Sequence, residues 1–83
     1  MNTYKVVVGP YRVAQRYAQR AGWLEDDVVI ITRGHQLAAM DPALISQIVT
    51  VKLHALGKRV ADDLAEETAR ITSLWPVNVQ VAA

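Results

Sequence analysis

The sequence predicts an α/β fold: a miniature open, mainly parallel sheet, doubly wound and Rossmann-like. Along the 83 residues, β-branched runs alternate with segments of helical apolar spacing. The run VVIIT, residues 28–32, is apolar without alternation, which is typical of a strand buried on both faces of a parallel sheet. Together these observations predict the order βαβαβαβ in a single domain over residues 1–83, and we expect the strand order 2-1-3-4.

The first unit is a strand followed by a helix. Tyr4–Val8 is β-branched and closed by Gly9-Pro10, which predicts a strand and a turn. We place Pro10 at the first helical position and Gly22 just past the helix end. The predicted apolar face consists of Val13, Ala14, Tyr17, Ala18 and Ala21, whereas Arg12, Arg16 and Arg20 recur every four residues on another face.

The middle of the chain allows two interpretations. Residues 35–40 are expected to form a short helical turn, and Asp41-Pro42 resembles an N-cap with proline in first position. Residues 41–56 are then either one helix or a short helix over 42–47 followed by a strand over 48–55. We favour the strand because IVTV is β-branched, and because Thr50, Lys52 and His54 alternate with apolar residues. One solvated face would place this strand near an edge.

The last unit is a long helix and a short strand. Lys58–Leu74 has a predicted buried stripe and a polar face before Trp75-Pro76 ends it. The stripe comprises Val60, Ala61, Leu64, Thr68, Ile71 and either Leu74 or Trp75, and the polar face carries Asp62, Asp63, Glu66 and Glu67. Residues 77–81, VNVQV, alternate strictly and predict a final edge strand.

The composition points to shared apolar surface and to an intracellular protein. Hydrophobic residues make up 52% of the chain, yet so short a chain buries only about 60–65% of its unfolded surface. We therefore expect some apolar area to face another subunit. A net charge of +1 argues against general nucleic-acid coating. The absence of cysteine excludes thiol chemistry and disulfides, and no apolar run suits a signal peptide or a membrane span, so we expect a soluble cytoplasmic protein.

The stretches YKVVVGPYRVAQRYAQRAG, DVVIITRGHQL and QIVTV resemble a set of small α/β proteins from phages of actinobacteria. Those proteins share an apolar strand, a helix bearing Tyr and Arg, a second strand of the DWVYV type and a short L-x-G-like turn, in that order. The resemblance covers about residues 4–52, and the chain departs from it with Ala38-Ala39 where Arg-Gly is common. It implies a phage gene expressed in a bacterial host and supplies no catalytic residues.

A first candidate site lies where the predicted strands end. Parallel α/β sheets bind ligands beyond the carboxyl ends of their strands, and glycines with nearby cations follow the first three strands here. The candidate anion-binding residues are Gly9, Arg12, Arg33, Gly34, His35, Lys58 and Arg59. However, the phosphate-binding motifs G-x-x-x-x-G-K-[ST] and G-x-G-x-x-G are both absent, and Pro10 lacks an N–H donor. Glycines at strand ends are also ordinary turn residues.

A second candidate site is the surface of the first helix. Arg12, Arg16 and Arg20 have no acidic residue in their own helix, so they are solvated, paired across the fold, or directed at an acidic partner. The acidic face of the last helix is a complement, either within one monomer or between copies. Tyr11 and Trp23 complete this candidate interface, because exposed aromatic residues often anchor binding.

Catalytic and metal chemistry have little support in the sequence. Ser46 and Ser73 lack an adjacent histidine, and His35, Asp41 and His54 are too few and too scattered to predict a metal centre. We therefore expect a non-enzymatic interaction module without cofactors, acting as a homo-oligomer or on a bacterial host protein. The alternatives are an anion- or nucleotide-binding domain and, third, a nucleic-acid contact through the arginines, which is the least expected because the net charge is small.

Overall fold

The computed structural model describes residues 3–82, which form one four-stranded sheet with helices on both faces. The strands are β1 (Tyr4–Val8), β2 (Val28–Ile31), β3 (Ile45–Val51) and β4 (Asn78–Ala82), and the helices are α1 (Tyr11–Arg20), α2 (Gly34–Ala38) and α3 (Lys58–Leu74). Short 3₁₀ turns cover Glu25–Asp27, Pro42–Leu44 and Leu53–Leu56. All neighbouring strands are parallel and their order is β2-β1-β3-β4. The predicted fold class and strand order are confirmed.

The sheet separates two hydrophobic layers. On one face α1 covers Val7, Val49 and Val51 through Ala14 and its neighbours. On the other face α2 and α3 pack on a larger layer made by Val6, Val8, Ile31, Leu37, Ile45, Ile48, Leu64 and Ile71. This division follows from the topology, because right-handed crossovers in opposite directions along a sheet place their helices on opposite faces.

The ends of α1 explain its length. Pro10 has an extended conformation and is the N-cap residue, and the helix begins at Tyr11. The prediction that Pro10 is the first helical residue is therefore wrong by one position. At the other end Gly22 has φ +74°, its N–H donates to the carbonyl of Gln19 and the N–H of Trp23 donates to that of Ala18. This is the Schellman arrangement, which needs a residue free to adopt left-handed backbone geometry.

Strand β3 is confirmed, but its predicted bounds and exposure are wrong. It begins at Ile45 and ends at Val51, because Lys52 turns the backbone into the left-handed region and Leu53–Leu56 continues as a 3₁₀ turn. The single-helix interpretation of residues 41–56 is therefore also wrong. Since β3 lies between β1 and β4, Thr50 is buried rather than solvated.

The predictions at the edges of the fold need three further corrections. β2 is an edge strand whose first three side chains are only half-buried, not a strand buried on both faces. Leu74 and Trp75 are 64% and 48% exposed, so neither belongs to the buried stripe of α3. β4 is an edge strand as predicted, but it covers Asn78–Ala82, one residue later than the alternation indicates.

Candidate functional site

The arginine ridge of α1, defined as Arg12, Arg16 and Arg20, is exposed and has no acidic partner among the residues that the structure describes. Across residues 3–82 the only salt bridge joins Arg70 Nε to Glu67 Oε2 at 2.9 Å. The acidic face of α3 lies on the opposite side of the sheet from α1. Pairing of these two surfaces inside one monomer, one of the expected alternatives, is therefore wrong.

Two of the ridge arginines line a cleft that we call the basic cleft. It has a volume of about 190 Å³ and lies between α1 and the carboxyl end of β3. Its lining is formed by Val13, Arg16, Tyr17, Arg20, Val51 and Lys52. Two cationic side chains from α1 and a third from the residue that follows β3 thus line one cleft. The rest of its lining is apolar or aromatic. Arg12 does not line it.

Lys52 is the part of the basic cleft that the sequence pattern does not reveal. Its backbone has φ 45° and ψ 48°, and it is the one non-glycine residue with positive φ within residues 3–82. A left-handed conformation costs roughly 1–2 kcal/mol for a residue with a side chain. Strained residues of this kind concentrate at binding and catalytic sites. The backbone conformation of Lys52 therefore indicates a functional site at this cleft, independently of its charge.

Tyr11 and Trp23 lie on the other flank of α1. There they line a larger cleft of about 470 Å³ together with Glu25 and Asp26, between α1 and β2. Trp23 is half-buried, packs edge-on against Tyr17 with ring centroids 5.6 Å apart, and lies beneath the ammonium group of Lys5 at 5.7 Å. The five residues predicted as one interface are therefore not assembled at one site. Arg16 and Arg20 line the basic cleft, Tyr11 and Trp23 line the larger cleft beside two acidic residues, and Arg12 lines neither.

The candidate anion-binding residues lie near the carboxyl ends of the strands, which parallel pairing brings to the same end of the sheet. The backbone N–H groups of two of them, Gly9 and Arg33, are already occupied. The N–H of Gly9 donates to the carbonyl of Ile31 at 3.0 Å, and the N–H groups of Thr32 and Arg33 donate to Gln36 Oε1 at 3.0 and 3.2 Å. None of the candidate residues, Gly9, Arg12, Arg33, Gly34, His35, Lys58 or Arg59, lines either cleft.

Two of the predicted glycines have packing reasons to be glycine. A Cβ at Gly9 would overlap the carbonyl oxygen of Val51 and lie 2.6 Å from its Cγ2. A Cβ at Gly34 would lie 3.2 Å from Cβ of Asp63 on α3. The second contact places an acidic residue beside the strand end where an anion would bind.

Among residues 3–82 no group of three or more metal-binding side chains comes together. His35, Asp41 and His54 are therefore not assembled into a site. Asp41 has a structural use instead, because its Oδ1 accepts a hydrogen bond from the N–H of Ala43 at 3.0 Å and so caps the turn that leads into β3. In this described part of the chain, no helix has both the length and the apolar character that crossing a membrane demands.

Comparison with known proteins returns no relationship. No family model, curated protein or solved structure matches the chain. The chemistry of the two clefts is therefore the basis on which a function is assigned.

Proposed function

We propose that this protein is a small, non-enzymatic interaction module, encoded by a phage, that binds an acidic surface of another protein in the host cytoplasm. The observation that carries the proposal is the basic cleft, which Arg16, Arg20 and Lys52 line. Among residues 3–82, no acidic group lies within salt-bridge distance of any of the three. Its partner is a bacterial host protein or a second copy of the chain.

The electrostatics of the basic cleft favour a carboxylate ligand. Like charges that surround one cleft repel each other, and an anion placed among them removes that repulsion and gains attraction to each cation. Hydrogen bonds to charged groups contribute about 1.5–3 kcal/mol each when solvent is displaced. Val13, Tyr17 and Val51 supply apolar lining, against which the methylene groups of a glutamate side chain can pack.

Within residues 3–82, α3 carries an acidic surface of the required type. Asp62, Asp63 and Glu66 are exposed on α3, on the face of the sheet opposite the cleft. A contact from the basic cleft of one copy to α3 of another is heterologous, so it joins copies head to tail and does not close by itself. Exposed charge pairs contribute only about 0–1 kcal/mol each, and such a contact therefore orients copies that apolar surfaces hold together.

The two alternative functions have less support. Anion or nucleotide binding at the strand ends would need N–H donors, but those of Gly9 and Arg33 are already used within the fold. Nucleic-acid binding through the arginine ridge would bring the acidic flank of α1, with Glu25 and Asp26, close to phosphates. The observations against both alternatives favour a ligand whose anionic group is isolated, as a carboxylate on a protein surface is.

Affinity purification from a bacterial host lysate tests the proposal when three baits are compared. The wild-type chain and Arg12→Glu should capture the same protein, because Arg12 does not line the basic cleft. Arg16→Glu with Arg20→Glu should lose it. Binding in the cleft would be contradicted if all three baits captured the protein equally. It would also be contradicted if Arg12→Glu lost the protein as well.

A ligand scan separates the proposal from the anion alternative. Millimolar phosphate and nucleotides should leave the melting temperature of the wild-type chain unchanged, because the N–H donors of Gly9 and Arg33 are already used within the fold. Stabilisation that disappears in an Arg33→Gln variant but persists in Arg16→Gln would instead support an anion site at the strand ends.

A further inference from the structure

Most of the large apolar side chains that remain exposed belong to β4 or to the end of α3. Six large hydrophobic residues are exposed within residues 3–82, and four of them are Leu74, Trp75, Val79 and Val81, which we call the β4 patch. Val77 packs against the core on the α3 side of the sheet. Because side chains alternate along a strand, Val79 and Val81 face the same side.

Exposure rises along β4 towards its end. Val79 is 36% exposed and Val81 is 84% exposed. β4 is the last strand of the sheet, so no described strand lies beyond it to cover Val81. The patch therefore has two parts, with Leu74 and Trp75 before the start of the strand and Val81 near its end.

The edge of β4 also lacks the features that usually prevent strand pairing. Natural edge strands are protected by charges, proline, bulges or covering elements, and Asn78–Ala82 has the sequence NVQVA with regular pairing to β3. No described element lies beyond β4 in the sheet. The other edge strand, β2, differs because its side chains are half-buried or buried and acidic residues directly precede it.

We propose that β4 pairs antiparallel with β4 of a second copy, joining two four-stranded sheets into one continuous sheet. A pairing centred on Gln80 places Val79 opposite Val81 of the second copy on the same face. The antiparallel direction also brings the end of each β4 towards the start of the other, so that Val81 lies nearer the end of the second strand that Leu74 and Trp75 precede. The patch is thus self-complementary, as a twofold interface requires.

This inference rests on the self-association half of the proposed function but uses a different surface. The basic cleft lies beside α1 on the opposite face of the sheet. Substitutions in the cleft and in β4 therefore test the two proposals independently. Loss of dimers with Arg16→Glu alone would favour the head-to-tail contact, whereas loss with Val81→Lys alone would favour the β4 pairing.

Sedimentation of the full chain over roughly 5–500 µM, the range in which weak complexes dissociate, is the first test. The wild-type chain should sediment at twice the mass of one chain at high concentration. Val81→Lys should raise the dissociation constant at least about tenfold, since a charge on an edge strand opposes pairing. Leu24→Lys, at a residue 70% exposed near the other edge, is the matched control and should dimerise normally.

Cysteine crosslinking is the second test, and it suits a chain that has no cysteine. In the proposed pairing the two Cβ atoms at position 80 are about 4.5–5.5 Å apart, so Gln80→Cys should form a covalent dimer with a short bismaleimide. The matched control is Asn78→Cys, whose two copies are offset by four residues, roughly 13 Å, and should not crosslink. A monomer at every concentration, a dimer indifferent to Val81→Lys, or equal crosslinking at both positions would each overturn the proposal.

Discussion

The close approach of β1 to β3 at Gly9 predicts that Gly9→Ala strongly destabilises the fold. The added Cβ would overlap the carbonyl oxygen of Val51 and lie 2.6 Å from its Cγ2, whereas real Cβ contacts essentially never fall below 3.0 Å. The side-chain contact alone requires a shift of 0.4 Å, which is 3.0 minus 2.6. The carbonyl oxygen cannot rotate away, so the end of β3 itself must move.

The expected cost is large for so small a domain. Overpacking a well-packed site costs about 1–3 kcal/mol, and we expect roughly 3 kcal/mol here because the obstacle is backbone. A domain of this size has a free energy of unfolding of about 4–12 kcal/mol, at roughly 0.05–0.15 kcal/mol per residue. Each kcal/mol shifts the melting temperature by about 4–8 °C, so Gly9→Ala should lower it by about 12–24 °C.

Urea denaturation with a matched control isolates the packing contribution. Gly22 has φ +74° and open space where its Cβ would be, so Gly22→Ala should cost only the left-handed penalty of about 1–2 kcal/mol. If Gly9→Ala proves no more destabilising than Gly22→Ala, the close packing at Val51 is refuted. An anion-binding role for Gly9 predicts the opposite pattern, with stability retained and phosphate binding lost.

Two further substitutions test the core and the entry to α2. Leu64→Ala should lower the free energy of unfolding by about 2–5 kcal/mol because it empties a fully buried site. Leu24→Ala, at a 70% exposed position outside the β4 patch, should change it by less than about 0.5 kcal/mol, and urea denaturation of both variants checks this contrast. Gln36→Ala should cost about 1 kcal/mol, because Gln36 Oε1 accepts from the N–H groups of Thr32 and Arg33, and Gln36→Glu, which keeps an acceptor oxygen, should retain most of that stability in thermal melts.

Much of the fold is readable from the sequence because local signals and tertiary packing agree. Tyr4–Val8 and Lys58–Leu74 have the bounds that their apolar patterns predict. The pattern misleads where the chain leaves regular structure: Leu53 continues the alternation of β3 but packs on the core from a 3₁₀ turn. It also cannot show that Leu74 is 64% exposed, since the burial of a side chain at a helix end depends on which other elements pack against it.

The candidate site is only partly predictable for a similar reason. The spacing of Arg16 and Arg20 places both on one flank of a helix, which is a local property. Lys52 reaches the same cleft only because β3 lies next to β1 in the sheet, a long-range arrangement with no signal in the residues around Lys52. Conversely, Arg12 shares the four-residue spacing but does not line the cleft, because the ridge turns gradually around the helix.

Lys52→Asn gives the most direct test of the basic cleft as the binding surface. Asparagine tolerates the left-handed backbone better than lysine does, so the variant should be at least as stable as the wild-type chain in urea. Its affinity for the protein captured by the wild-type bait, measured by titration calorimetry, should nevertheless fall about tenfold, the equivalent of about 1.4 kcal/mol for one lost charged contact. Arg12→Gln should leave that affinity unchanged. If Lys52→Asn binds as tightly as the wild-type chain, or if Arg12→Gln weakens binding as much, the cleft is not where the partner binds.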